Sequence, residues 1–249
     1  MEFMTTFNSL ARPALVRSLL ALAAPGLLAA PAQAASLQIS PTSLRFDLTQ
    51  PRAGALTLSN PSSEPVTVSV DLYSWTQSDG QEGLTPTQDI LVNPARFVVP
   101  PNGSQIIRVG WRGKSFPTTE KAYRMAIQNV PNANAAAEGI KVQVVLKMNV
   151  PVIFASPTAQ SKVSWTLSRQ GDALQLVAQN SGGHFMSFND VRLSAGEYKT
   201  GLGSFAVLAG GALKFMLPGS AQVKSPLQLS YALPTGTDGE RETLTLALP

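Results

Sequence analysis

The chain contains no cysteine and a single histidine, and charged residues make up only 14% of its 249 positions. Each scarcity excludes something. Without cysteine there is no thiolate nucleophile, no sulfur metal site and no disulfide. His184 stands alone in Ser181-Gly182-Gly183-His184, with no nucleophile elbow and no carboxylate at a spacing that would make it a general base. No cluster of convergent ligands suggests a metal. The paired glycines at 182–183 and 210–211 suit turns, because a phosphate loop needs a helix after it. No catalytic, cofactor-binding or metal site is therefore expected. The formal charge is +4, with the basic residues scattered along the chain, so nucleic acid is not an expected partner.

Long apolar runs are also missing, except near the start. Met1 to Ala34 carries Arg12 and Arg17, an apolar stretch interrupted by Pro25 and Gly26, and a closing Ala32-Gln33-Ala34. Basic flank, short apolar segment and small-x-small ending together describe a secretory signal peptide, cut after Ala34. The stretch is too short to span a bilayer comfortably, and Met4 is a second possible start. No later segment is long and apolar enough for a membrane, so the mature chain is expected not to insert in one. An exported chain without disulfides must stand on its hydrophobic cores, and it belongs in the periplasm or outside the cell.

What the sequence has in abundance is alternation. From Ile140 to Val150 every second residue is apolar (Ile140, Val142, Val144, Leu146, Met148, Val150), and the residues between are mostly polar. A period of two over that length predicts a long strand with one apolar face. Shorter strand-like segments recur from Leu37 onward, separated by Pro, Gly, Asn and Ser clusters. Val66–Trp75, Gln105–Trp111 and Tyr123–Val130 are the clearest before residue 150, and a new series begins at Val163. After residue 35 no helical periodicity of useful length appears. The expected fold is all-β: two Ig-like β-sandwich domains in tandem, residues 35–156 and 157–249, after the signal peptide at 1–34.

Several residues in this order form a recognisable series. They are Asn60-Pro61, Asn93-Pro94, Phe97, Pro100-Pro101-Asn102-Gly103, Ile107-Arg108-Val109-Gly110-Trp111, Glu120, Tyr123-Arg124, Val130-Pro131 and the long strand ending at Pro157. Gln179-Asn180, Gly210-Gly211 and Lys214-Phe215 follow in the second half. The series resembles the periplasmic pilus chaperones of the PapD-like family, across residues 36–249. The resemblance implies a chaperone that lends its long strand to an unfinished pilin subunit, the strand-addition mode of binding, and passes the subunit to an outer-membrane usher. Ile140, Val142, Val144 and Leu146 would be the lent side chains. Pattern alone leaves the other reading open, in which that face packs into the chain's own core.

The resemblance also implies a cationic grip on the subunit's terminal carboxylate. In the best-known members a basic residue lies near the start of the first strand, where this chain has Ser43, with Arg45 two residues on. That departure, and Val152-Ile153-Phe154 where basic and aromatic residues are usual, place the sequence nearer the divergent archaic or spore-coat-like branch. Arg124, mid-strand among apolar residues, is then the first candidate anchor, followed by Lys147 and Arg45, with Arg108 a weak fourth. Each could instead be a solvated edge charge. Two rivals remain. An adhesive or carbohydrate-binding module would need Trp75, Trp111 and Trp165 on one exposed face; a structural pilus subunit would lack a strand of its own.

Overall fold

A computed structural model describes residues 37–47, 53–113, 117–131, 144–155, 158–224, 226–232 and 240–248. The leader, the boundary at Ser156–Pro157 and donor positions Ile140 and Val142 lie outside the described residues. Among the described residues there are 17 strands and no helix, and so none that is long and apolar enough to cross a membrane.

The first sandwich is built from β1 (Gln38–Ser40), β2 (Leu44–Phe46), β3 (Ala53–Asn60), β4 (Val66–Ser78), β5 (Gln81–Pro86), β6 (Ile90–Asn93), β7 (Arg96–Val99), β8 (Gly103–Trp111), β9 (Lys121–Asn129) and β10 (Lys147–Phe154). One sheet has the order β1-β3-β8-β6 and the other β2-β10-β9-β4-β5, with β7 also paired to β4. The opening segment, read from sequence as one strand broken at Pro41, is two short strands in different sheets. β1 pairs antiparallel with β3, while β2 crosses to run parallel to β10. A proline cannot donate to a ladder, so the chain changes sheets there.

Alternation explains the core. Leu56 and Leu58 of β3, Val68 and Val70 of β4, Ile107 and Val109 of β8, Tyr123, Met125 and Ile127 of β9, and Val150, Val152 and Phe154 of β10 interleave between the sheets. Phe154 stacks on Phe46, with ring centroids 4.7 Å apart, and meets Tyr123 edge-on.

The second sandwich contains β11 (Val163–Gln170), β12 (Ala173–Asn180), β13 (Met186–Ala195), β14 (Tyr198–Val207), β15 (Ala212–Leu217), β16 (Leu227–Ala232) and β17 (Arg241–Leu246). Its sheets are β11-β12-β15 and β14-β13-β16-β17, closed on Leu174, Leu176, Phe188, Val191, Leu193, Leu227 and Leu229. The two sandwiches form one compact unit, Ala34–Pro249.

The long strand differs from the sequence expectation. Among the described residues Val144–Leu146 lie outside the strand, and regular pairing runs from Lys147 through Phe154. The alternation that marks Ile140–Val150 is therefore only partly spent on a strand of this sandwich among the described residues. Leu146, Met148 and Val150 turn into the chain's own core, whereas Val144 and Val145 are 53% and 56% exposed.

Candidate functional site

The site lies on the outward face of the sheet β2-β10-β9-β4-β5. Even-numbered residues of β10 face the core, so the odd-numbered ones, with their neighbours across the ladder, face out. The register sets Arg45, Ile153 and Ala122 in one outward row, and Pro151, Arg124 and Tyr73 in the next. Lys147 shares a row with Gln128 and Ser69. All three candidate cations thus stand on one face.

The second sandwich covers part of that face. Trp75 and Ile153 are outward residues of the first sandwich, yet they are buried against Leu208, with Ala122 and Phe185 beside them. Between the sandwiches a cleft of about 450 Å³ remains, and both Arg45 and Arg124 line it, with Ser43, Trp75, Glu82 and Phe205. Lys147 does not. It lies four residues before Pro151, about 13 Å along the strand, with its Nζ 5.9 Å from the centre of the Tyr73 ring.

The two arginines of the cleft are not equivalent. Arg45 is already engaged. Its Nη2 lies 3.2 Å from Nε2 of His184 and 3.6 Å from Oε2 of Glu120, a carboxylate only 1% exposed. His184 holds Glu120 through Nδ1 at 2.5 Å, and the main-chain N–H of Phe185 donates to the other carboxylate oxygen at 3.0 Å. With Arg45 donating to Nε2, the imidazole donates through Nδ1 to Glu120. Arg45, Glu120 and His184 therefore form a clasp between the sandwiches.

Arg124 has no such partner. Its guanidinium carbon lies over the Trp75 ring, 3.6 Å from the centroid, and the side chain makes no hydrogen bond or ion pair with another described residue. Burial lowers its pKa, partly offset by the charge of Glu82. An arginine titrates so high that it stays charged here. A half-buried cation without a hydrogen-bonded anion is costly unless something completes it.

A second feature is the edge of β10. Among the described residues only the three of β2 cover it, at Val152–Phe154. The main-chain groups of Val145, Lys147 and Asn149 that point away from β9 bond to no other described residue. Pro151, which has no N–H, interrupts the edge just before β2 takes it up.

Residues 36–160 match the family described as pili and flagellar-assembly chaperone, PapD N-terminal domain. The chain belongs to that family. Solved structures of the same chaperone class share the fold over most of the chain. A chain of the chaperone–tip adhesion subunit complex CsuC–CsuE, from the archaic Csu pili of Acinetobacter baumannii, has a TM-score of 0.66 and 15% identity over 86% of this chain and 100% of its own. The Salmonella enterica SafA pilin–SafB chaperone complex matches at 0.60 and 18% over 86% and 98%. The Escherichia coli chaperone DraB matches at 0.60 and 16% over the same shares. No curated protein matches by sequence. The family match makes the chain a PapD-like chaperone, and the solved structures share its fold of two β-sandwich domains.

The family's expected anchor position, Ser43, does line the cleft. Sequence reasoning missed the clasp: Glu120 was visible as a motif residue without a role, and His184 as a loop histidine. It also missed that Trp75 is buried at the junction. The adhesive-module rival fails on placement. Trp75 is buried between the sandwiches, Trp111 packs on the first core and Trp165 on the second, so no exposed aromatic platform joins them.

Proposed function

We propose that this family member is a periplasmic chaperone that binds one pilin subunit by donor-strand complementation and delivers it to an outer-membrane usher. The mature protein begins after Ala34, with the subunit-binding sandwich at 35–156 and the second at 157–249. An unfinished subunit, short of one strand, takes the segment carrying Ile140, Val142, Val144 and Leu146 in place of its own. Neither nucleotide nor metal is needed, because the exchange is one of burial and ladder hydrogen bonds. Burying an exposed side chain of this kind contributes on the order of 1.5–3 kcal/mol before ordering costs, and Leu146, already packed on the chain's own core, contributes less.

The observation that carries this reading is the β10 edge, unpaired before Val152 among the described residues and continuous with the exposed Val144 and Val145. An apolar, unpaired edge is an aggregation liability unless a partner strand takes it. Arg124, which shares the cleft with Glu82 but bonds to no carboxylate among the described residues, supplies the grip for the subunit's terminal carboxylate. Lys147, on the same face but outside the cleft, assists along the bound strand, and Arg45 contributes least because Glu120 already holds it.

Co-expression with the cognate pilin subunit tests the proposal. Val144→Asp combined with Leu146→Asp is expected to abolish recovery of soluble complex from the periplasm. Unchanged yield from that double variant would remove the donor assignment.

A further inference from the structure

We infer that Asn129 is a positioning residue, which uses its side-chain amide to hold the Val144–Leu146 end of the donor segment extended and in register for the subunit. The inference rests on the donor-strand reading above.

β9 ends at Asn129, and its main chain then leaves β10. The N–H of Val130 donates to Thr67 O at 2.8 Å, on the β4 side, and Pro131 has no N–H to give. Beyond Leu146 O, therefore, the ladder has no further backbone partner among the described residues. Asn129 replaces it. Its own N–H donates to Leu146 O at 3.3 Å. Its Oδ1 accepts from Leu146 N–H at 2.6 Å, and its Nδ2 donates to Val144 O at 3.0 Å. A carboxamide carries one acceptor and donors in a single plane, as a peptide unit does. One side chain thus continues the ladder across two further residues of the neighbouring segment.

The consequence is directional. The groups of Val144 and Leu146 that face β9 are satisfied, while those of Val145 point to the uncovered edge. Val144 and Val145 are presented to solvent although both are apolar, an arrangement a chain left to itself would relax by collapse. A segment already extended binds with less loss of conformational freedom than one that must be ordered at the encounter. Asparagine at this position therefore acts on the rate of capture more than on the stability of the chaperone.

The test measures capture of the cognate pilin subunit, held in denaturant and diluted into the full-length mature chaperone. Asn129→Ala is expected to slow association roughly tenfold, the size of effect that restoring order at binding produces. The Leu146 amide should exchange with solvent much faster, with the thermal midpoint unchanged. Asn129→Asp keeps an acceptor for Leu146 but loses the donor to Val144, and an intermediate rate is expected. Wild-type association by Asn129→Ala, alongside abolished binding by the Val144→Asp/Leu146→Asp variant, would overturn the positioning role and leave the donor reading standing. Unchanged binding by both variants would overturn both. A slower rate explained by a matching fall in thermal midpoint would reduce Asn129 to a structural residue, and so overturn the inference as well.

Discussion

At the scale of single residues, Arg124 and Arg45 show how the same side chain is set to opposite tasks by its neighbours. Arg45 satisfies a buried carboxylate, whereas Arg124 rests on an indole face with its hydrogen-bonding edge unclaimed. Removing each should therefore have opposite signatures. Arg124→Ala is expected to leave the thermal midpoint of the free chaperone unchanged or slightly raised, because an incompletely paired, half-buried charge is lost. It should weaken subunit binding by about 2 kcal/mol or more, the usual cost of leaving a partner's charge unpaired. Arg45→Ala should lower the midpoint and affect binding less. Calorimetry of the free variants and titration with the subunit separate the two, and a destabilised Arg124→Ala with normal affinity would contradict the assignment.

Tyr123 provides a residue-scale prediction in pH. Its hydroxyl donates to Asp89 at 3.0 Å, and burial first, then that carboxylate, holds its pKa well above the ordinary 10.0. A raised folded-state value means the protonated phenol stabilises the fold. That contribution is complete below the ordinary tyrosine value and is lost as pH rises from there through the raised folded-state value. Chemical denaturation of the wild type should show stability falling above about pH 10, and Tyr123→Phe should flatten that fall. An identical slope in both would show that other groups govern the alkaline limb.

At the scale of elements, two asparagines perform parallel work in the two sandwiches. Asn60 ends β3 and donates to the carbonyls of Glu64, Val99 and Pro100 while accepting from Ser62 N–H. Asn180 ends β12, donates to His184 O and Val207 O, and accepts from Lys162 and Gly182 N–H. Both are buried, and each fixes a loop whose main chain could not otherwise satisfy itself. Asn60→Ala and Asn180→Ala should each cost about 1–3 kcal/mol, the range for leaving buried polar groups unpaired. Urea denaturation measures it, and a loss within experimental error would mean the loops re-bond without the amide.

Elements also mark the limit of what the chain reveals before its structure is seen. The strands whose apolar residues face one core, β3, β8, β9 and β12, are legible because period-two burial is a local property. β5 is not. It has little apolar content, yet Asp79-Gly80 before it is a hairpin turn signal, and both residues adopt positive φ. β4 shows the other difficulty. Val66, Val68, Val70 and the partly buried Leu72 line its core face, but Trp75 and Gln77, on the opposite face, are the buried pair further along. The covering surface there comes from residues far along the chain, which no local pattern records. The same reason hid the Glu120 clasp and exposed Arg124 only as an oddity. The ridge that starts at Ile140 reads as one unit in sequence, whereas Asn129 and the core divide it between a presented part and a packed part.

At the scale of the whole molecule, the two sandwiches are joined by polar groups that mimic secondary structure as well as by apolar contact. Gln77 donates from Nε2 to Ala206 O at 2.8 Å and accepts at Oε1 from Leu208 N–H at 2.8 Å. Lys214 N–H donates to Gly80 O at 3.2 Å, which ties the β4–β5 turn to β15. With the Glu120 clasp and the Trp75–Ile153–Leu208 cluster, these contacts set the walls of the cleft that holds Arg124. Coupling of this kind makes the sandwiches unfold together, since neither can open without stranding buried donors and acceptors on the other. Gln77→Ala with Glu120→Ala should therefore split a single calorimetric transition into two, at a total cost of about 2–6 kcal/mol for the two sites. The same variant should bind the subunit more weakly although it retains Arg124 and the donor segment, because the second sandwich, whose Phe205 and Leu208 wall the cleft, no longer closes it around the cation. Normal affinity in a protein shown to have uncoupled domains would mean that donor strand and carboxylate grip act from the first sandwich alone.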